Sequence, residues 1–164
     1  MRDGMTHPVL GAVEVDDTVG LSWRASVDLA GREVDLSYDP GDEPLDESQV
    51  ETLAAVAARL TDLDRSARQT MLADYVEDLE IEGAGSYLLH HVEELGEDQV
   101  ATALGIATPI NAERFVGALR LVRVGVDPDE PMVLDYTIDE NLTNYVIAVS
   151  IDTEGNVVSI NTES

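Results

Sequence analysis

Apolar and polar residues alternate along the first part of the chain. Every second residue is apolar over positions 21–29, and the same period returns over positions 34–38, after the turn-forming pair Ala30-Gly31. An apolar run over positions 9–15 precedes both segments. A period of two places alternate side chains on one face of a sheet. The pattern therefore predicts a three-stranded antiparallel meander whose outer face is acidic.

The centre of the chain has apolar residues at intervals of three and four, the spacing of an amphipathic helix. The breaker-rich segment 39–44 separates this region from the strands, and the polar segment Thr61-Asp-Leu-Asp64 interrupts the pattern. Asp64 is expected to cap the helix that follows the interruption. The pattern predicts helices over 50–60, 67–79, 86–95 and 97–104, and a last helical turn over 111–115.

Alternation with a period of two returns in the last third of the chain. It predicts strands over 119–126, 132–139, 145–152 and 158–160. Strands in a block, then helices, then strands again indicate an α+β fold rather than a parallel βαβ sheet. We expect a single domain over residues 1–164, with an N-terminal antiparallel three-stranded meander, central helices and a C-terminal antiparallel meander of about four strands.

Charge is the most unusual property of the sequence. Of 164 residues, 34 are Asp or Glu and 9 are Arg, and the net charge is −25. Such a surface repels the phosphates of nucleic acids and anionic membranes, so neither is expected as a partner. The first residues lack the apolar run of a signal peptide, which favours the cytoplasm of a microbe. Cysteine is absent, which excludes disulfides and thiolate chemistry.

Two explanations of the acidic surface remain open. It is either an adaptation to salt and solubility, or a surface that binds a basic protein partner. The strand faces and the loop that follows them would form the partner-binding surface, and the alternative is that they are a solvated outer face. The candidate partner-binding residues are Asp28, Asp35, Asp39, Asp42, Glu43, Asp46 and Glu47. The oligomeric state is left open, because an edge strand could pair while the charge opposes association.

The most metal-like cluster of the sequence is His90-His91-Val92-Glu93-Glu94. His90 and Glu94 are four residues apart on one helix face and could share an ion. His91 falls on the apolar stripe, which indicates a histidine at the edge of the core. Neither a nucleophile elbow nor a phosphate-binding glycine loop is present. The sequence therefore predicts no catalytic residue, no metal ligand and no cofactor.

Two stretches resemble a bacterial family that is catalogued as a domain of unknown function. The first is His7-Pro-Val-Leu-Gly11, followed by Leu21-Ser-Trp23 and Gly31-Arg-Glu-Val34. The second runs from Asp135-Tyr136 to the Glu163-Ser164 end. The resemblance covers nearly the whole chain and implies no catalytic or binding residues. Related small acidic α+β families include immunity proteins that neutralise toxins, an analogy at the level of the fold.

These observations favour a non-enzymatic acidic binding protein, an immunity-type inhibitor of a basic toxin or nuclease. One alternative is a salt-adapted cytoplasmic interaction module whose acidity has no partner. Another is a hydrolase or metal-dependent enzyme whose residues are arranged in a pattern that the sequence does not reveal.

Overall fold

A computed structural model describes residues 4–18 and 20–164 of the chain. Four strands precede four helices, and four more strands follow them. The strands are β1 (Met5–His7), β2 (Gly11–Asp16), β3 (Ser22–Leu29), β4 (Arg32–Tyr38), β5 (Arg120–Val126), β6 (Met132–Thr137), β7 (Val146–Ile151) and β8 (Val157–Glu163). The helices are α1 (Glu47–Ala73), α2 (Ala84–Leu95), α3 (Glu97–Leu104) and α4 (Ala112–Ala118).

All eight strands belong to one sheet, in which their order follows the chain from β1 to β8. Neighbouring strands are antiparallel except β4 and β5, which run parallel and pair from Asp35 opposite Arg123 to Tyr38 opposite Val126. A parallel pair needs a long connection, and the four helices supply it. The α+β class is confirmed, but the two predicted meanders are joined edge to edge into one mixed sheet.

The N-terminal block contains four strands rather than the predicted three. The additional strand, β1, is three residues long and pairs with residues 11–13 of β2. A periodicity of two is not detectable over three residues, and Pro8 follows directly. Between the two strands, Val9 donates its N–H to Nδ1 of His7 at 3.0 Å, and His7 Nε2 donates to Glu51 of α1 at 2.8 Å.

The predicted interruption of the first helix at residues 61–64 is wrong, because α1 is continuous from Glu47 to Ala73. Asp64 caps no helix. Its Oδ1 instead accepts hydrogen bonds from Arg68 Nε at 2.9 Å and from the Tyr136 hydroxyl at 2.7 Å. Leu60, Leu63 and Ala67 are all buried across the interval, so the apolar stripe continues through it.

The helical pattern of residues 67–79 extends past the actual end of α1. The chain leaves the helix after Ala73, and Leu72, Val76 and Leu79 are exposed rather than buried. A turn forms instead, in which Asp78 accepts a hydrogen bond from the N–H of Glu80 at 2.9 Å. Aspartate side chains compete in this way with the helical backbone. The shorter helices lie close to their predicted positions.

The helices cover one face of the sheet. Trp23, Leu36, Val124, Leu134 and Ile147 point into this layer and are each at most 1% exposed. The Trp23 indole N–H donates to Gln49 Oε1 and to the carbonyl of Asp46, both at 3.2 Å, which fixes the start of α1 against β3. Within the described residues, none of the helices is long and apolar enough to cross a membrane.

Candidate functional site

The face of the sheet turned away from the helices is polar and uncovered. We call it the open face. The register places the following charged residues on it: Glu14, Asp16, Arg24, Asp28, Glu33, Asp35, Arg123, Asp135 and Glu163. Small side chains such as Ala12, Ser26 and Ser37 lie between them. An antiparallel sheet commonly packs one face on the core and leaves the other in water, so this face is a surface at which a partner could bind.

Both arginines of the open face are already engaged by aspartates. Arg123 donates to Asp135 at 3.2 Å, and Arg24 lies 3.3 Å from Asp16. Burial raises the pKa of Asp135, Arg123 opposes that shift and Glu163 adds to it. Hydrogen bonds from Thr18 lower the pKa of Asp16, and Arg24 acts in the same direction. Arg24 and Arg123 are therefore each paired with a carboxylate of the same face.

Three further carboxylates of the open face form no ion pair within the described residues, although Asp35 lies opposite Arg123 in the parallel pair. Asp28 of β3 lies directly opposite Glu33 of β4, and Asp35 follows two residues later. Among residues 4–18 and 20–164, none of these three carboxylates is within 4.0 Å of an arginine nitrogen. Asp28 accepts a hydrogen bond from Gly31 N–H at 3.3 Å, and Asp35 accepts one from the Ser26 hydroxyl at 2.9 Å. Like charges directly opposite each other in a sheet are destabilising.

The structure divides the predicted partner-binding residues into two groups. Asp28 and Asp35 lie on the open face. The other five, Asp39, Asp42, Glu43, Asp46 and Glu47, lie in the loop after β4 and at the start of α1, and all are exposed. Asp46 has a structural role, because its side chain accepts the Ser48 N–H at 2.8 Å and it forms a capping box with Gln49.

Sequence reasoning missed the acidic residues that join the second group. Because β4 and β5 are parallel, the loops that follow them leave the sheet at the same end. Asp39 N–H donates to the Val126 carbonyl at 2.9 Å. Burial raises the pKa of Tyr38, and Glu43, Asp127 and Asp129 raise it further. The two loops therefore form one acidic end, consisting of Asp39, Asp42, Glu43, Asp127, Asp129 and Glu130. Only the parallel pairing, which the sequence did not indicate, brings them together.

The His90-His91 pair lies on α2 beside the segment that connects β6 and β7. His91 is 3% exposed. Its Nδ1 donates to the Tyr87 carbonyl at 2.7 Å, so Nε2 of the neutral ring accepts from the Thr143 hydroxyl at 2.9 Å. The His90 ring packs against Tyr145 at 5.2 Å between ring centres, and Glu94 is exposed. Throughout the described part of the chain, no three His, Asp or Glu side chains are grouped to hold a metal ion.

Comparisons with protein-family models, curated proteins and solved structures give no match to this chain. The functional argument therefore depends on the open face, the acidic end and the chemistry of their residues.

Proposed function

We propose that the protein is a non-enzymatic binding protein that holds a basic protein partner on its open face. An immunity-type inhibitor, which covers the active site of a basic toxin or nuclease, is the form of this function that we favour. The observation that carries the proposal is the pair Asp28 and Glu33, two carboxylates that face each other across β3 and β4 without a cation between them.

A basic partner would relieve this repulsion. A lysine or arginine inserted between Asp28 and Glu33 would gain two charge-assisted hydrogen bonds, and Asp35 lies on the same face to accept a further one. Like charges opposite each other in a sheet are unfavourable in general, and a bound cation would remove that unfavourable contribution. The acidic end and the overall charge of −25 would steer a basic partner toward the protein before contact.

The test begins with capture of partners from a lysate of the source organism at physiological salt. The captured basic protein is then purified, and its association with three forms of this chain is measured. One form is unaltered, one carries D28N, E33Q and D35N on the open face, and one carries E93Q, E94Q and E154Q at exposed positions outside it. The two triple variants have the same net charge, which separates local recognition from the overall field.

We expect the open-face variant to lose at least about tenfold in affinity, because hydrogen bonds to charged groups contribute about 1.5–3 kcal/mol each. The control variant should associate somewhat more slowly than the unaltered chain. This difference in association rate should disappear at high salt. Inhibition of the partner's activity by the unaltered chain would establish the immunity-type form. Equal affinities of the two variants would refute the open face as the binding surface, and the absence of any basic partner would favour the salt-adapted module.

A further inference from the structure

A second site of opposite charge lies at the other end of the parallel strands. A pocket of about 330 Å³ opens where β4 and β5 begin, between the β3–β4 turn, the middle of α1 and the ends of α3 and α4. Its charged lining residues are Arg32, Arg68, Arg120 and Asp64. Three arginines against one aspartate give the lining a charge of +2, in a chain with 34 acidic residues.

Two of the three arginines have no acidic partner. Arg32 begins β4 and makes neither a hydrogen bond nor an ion pair with any described residue. Arg120 begins β5, donates from Nη2 to the Ala103 carbonyl at 3.1 Å, and has a buried Nε without a hydrogen-bond partner. Because β4 and β5 are parallel neighbours, Arg32 and Arg120 lie at the same end of two adjacent strands. Neither guanidinium group is paired with a carboxylate of the described residues.

The third arginine, Arg68, forms part of the wall of the pocket and is paired with a carboxylate. Arg68 donates from Nε to Asp64 at 2.9 Å and from Nη1 to the Val116 carbonyl at 2.7 Å, which ties α1 to the end of α4. Asp64 also accepts a hydrogen bond from the Tyr136 hydroxyl, and among the described residues its only ion pair is with Arg68. The remaining wall includes the buried side chains of Leu104 and Leu121. The pocket thus combines two unneutralised cations with an apolar surface.

Other clefts in the described part of the chain have the opposite sign. The cleft around Arg24 also contains Glu14 and Asp35, and the one around Arg123 contains Asp135, Glu140 and Glu163. An excess of arginine is therefore not a general property of the concave surfaces of this protein. In a chain so rich in carboxylates, two arginines of one pocket that form no ion pair with any described carboxylate favour an anion that comes from outside.

We propose that this pocket binds a small molecule that carries a phosphate group, with Arg32 and Arg120 as the residues that contact the phosphate. The charge of +2 matches a phosphate dianion, and arginine is the side chain best suited to its oxygens. The volume suits a small ligand, and the apolar wall would accommodate its organic part. The overall negative charge does not prevent binding, because salt screens charges that are more than about 8 Å away at physiological ionic strength.

The test uses isothermal titration calorimetry with two probes, inorganic phosphate and glycerol 3-phosphate, at constant ionic strength. The variants are Arg32→Ala and Arg59→Ala. Arg59 is the matched control, because it is exposed, lies outside the pocket and, like Arg32, has no hydrogen bond or ion pair among the described residues. Each variant removes one positive charge but no hydrogen bond or ion pair among the described residues, so both variants are expected to fold.

We expect the unaltered chain and Arg59→Ala to bind with the same affinity and Arg32→Ala to bind at least about tenfold more weakly. Amide chemical shifts should change at residues 29–32 and 117–121 and not on the open face. Tighter binding of the ester would indicate a ligand with an organic part, and equal binding would indicate free phosphate. The proposal is overturned if neither probe binds in the millimolar range, or if the two variants bind equally.

Discussion

His91 is a buried histidine whose environment favours its neutral form. Burial lowers the pKa of His91 below its ordinary value of 6.5, and His90 lowers it further, while the Tyr87 carbonyl and Glu94 act in the opposite direction. The unfolded chain therefore takes up a proton on this ring at a higher pH than the folded protein does. The stability contributed by neutral His91 is complete above pH 6.5 and is lost as the pH falls from there toward the lower folded-state pKa.

The measurement is the free energy of unfolding in urea between pH 7.5 and pH 5, for the unaltered chain, His91→Gln and His90→Gln. We expect the slope against pH to decrease in His91→Gln by up to about 1.4 kcal/mol per pH unit, the limit for one proton. His90 is half-buried and makes no hydrogen bond through its ring among the described residues, so His90→Gln should retain most of the slope. An unchanged slope in His91→Gln would contradict the assignment.

Single residues also show where sequence reasoning stops. The pattern correctly indicated that His91 belongs to the edge of the core, because its neighbours at intervals of four are apolar. It assigned Asp64 to a helix cap, whereas Asp64 accepts hydrogen bonds from Arg68 on the same helix and from Tyr136, 72 positions away in the chain. A carboxylate between two helical segments is compatible with both roles. Only the position of β6 above α1 decides between them, and local sequence carries no information about it.

At the scale of elements, the close approach of the start of α2 to the segment after α1 depends on Gly85. A Cβ at this position would overlap the carbonyl oxygen of Val76, a backbone atom that cannot move independently. Gly85→Ala is therefore expected to displace residues 74–83 and to destabilise the protein by about 1–3 kcal/mol, as overpacking generally does. Urea unfolding measures this change.

Gly117 in α4 provides the control for this substitution. A Cβ at Gly117 would meet nothing within 4 Å, and its backbone is in an ordinary conformation. Gly117→Ala should stabilise the protein by about 0.4–1 kcal/mol, because alanine reduces the conformational freedom of the unfolded chain. Equal effects of the two substitutions would show that the contact between Gly85 and Val76 does not hold this part of the fold.

Most elements could be predicted, but their arrangement could not. The alternation in β3 and β4 and the stripe of α1 are local patterns, and the Ala30-Gly31 turn, with φ of 53° and 84°, satisfies the requirement of a two-residue hairpin. The parallel pairing of β4 with β5 joins segments more than eighty residues apart. Its strands have the same alternation as antiparallel ones. This pairing creates both the acidic end and the pocket that contains Arg32 and Arg120. Neither site could therefore be recognised in the sequence.

For the whole molecule, the two ends of the central parallel pair carry different kinds of charged residue. The loops that leave the C-terminal ends of β4 and β5 carry the acidic end, and the N-terminal ends of the same strands carry Arg32 and Arg120. The open face lies between them and retains unneutralised carboxylates. The acidity of this protein is therefore not a uniform coat, although the charges are evenly distributed along the sequence. A spatial pattern of this kind is what a binding surface needs and what adaptation to salt alone does not require.

The repulsion across β3 and β4 distinguishes these two origins of the charge. If the Asp28–Glu33 pair is a local cost, Glu33→Gln should raise the free energy of unfolding by a few tenths of a kcal/mol at low salt. The gain should disappear in 1 M KCl, where the screening length falls to about 3 Å. Glu154→Gln, at an exposed turn position, removes the same charge and serves as the control. Equal gains in free energy of unfolding in both variants would show that only the net charge matters. A larger gain in Glu33→Gln would show that the carboxylate at this position lowers the stability of the free protein, at the place where we propose that the partner's cation binds.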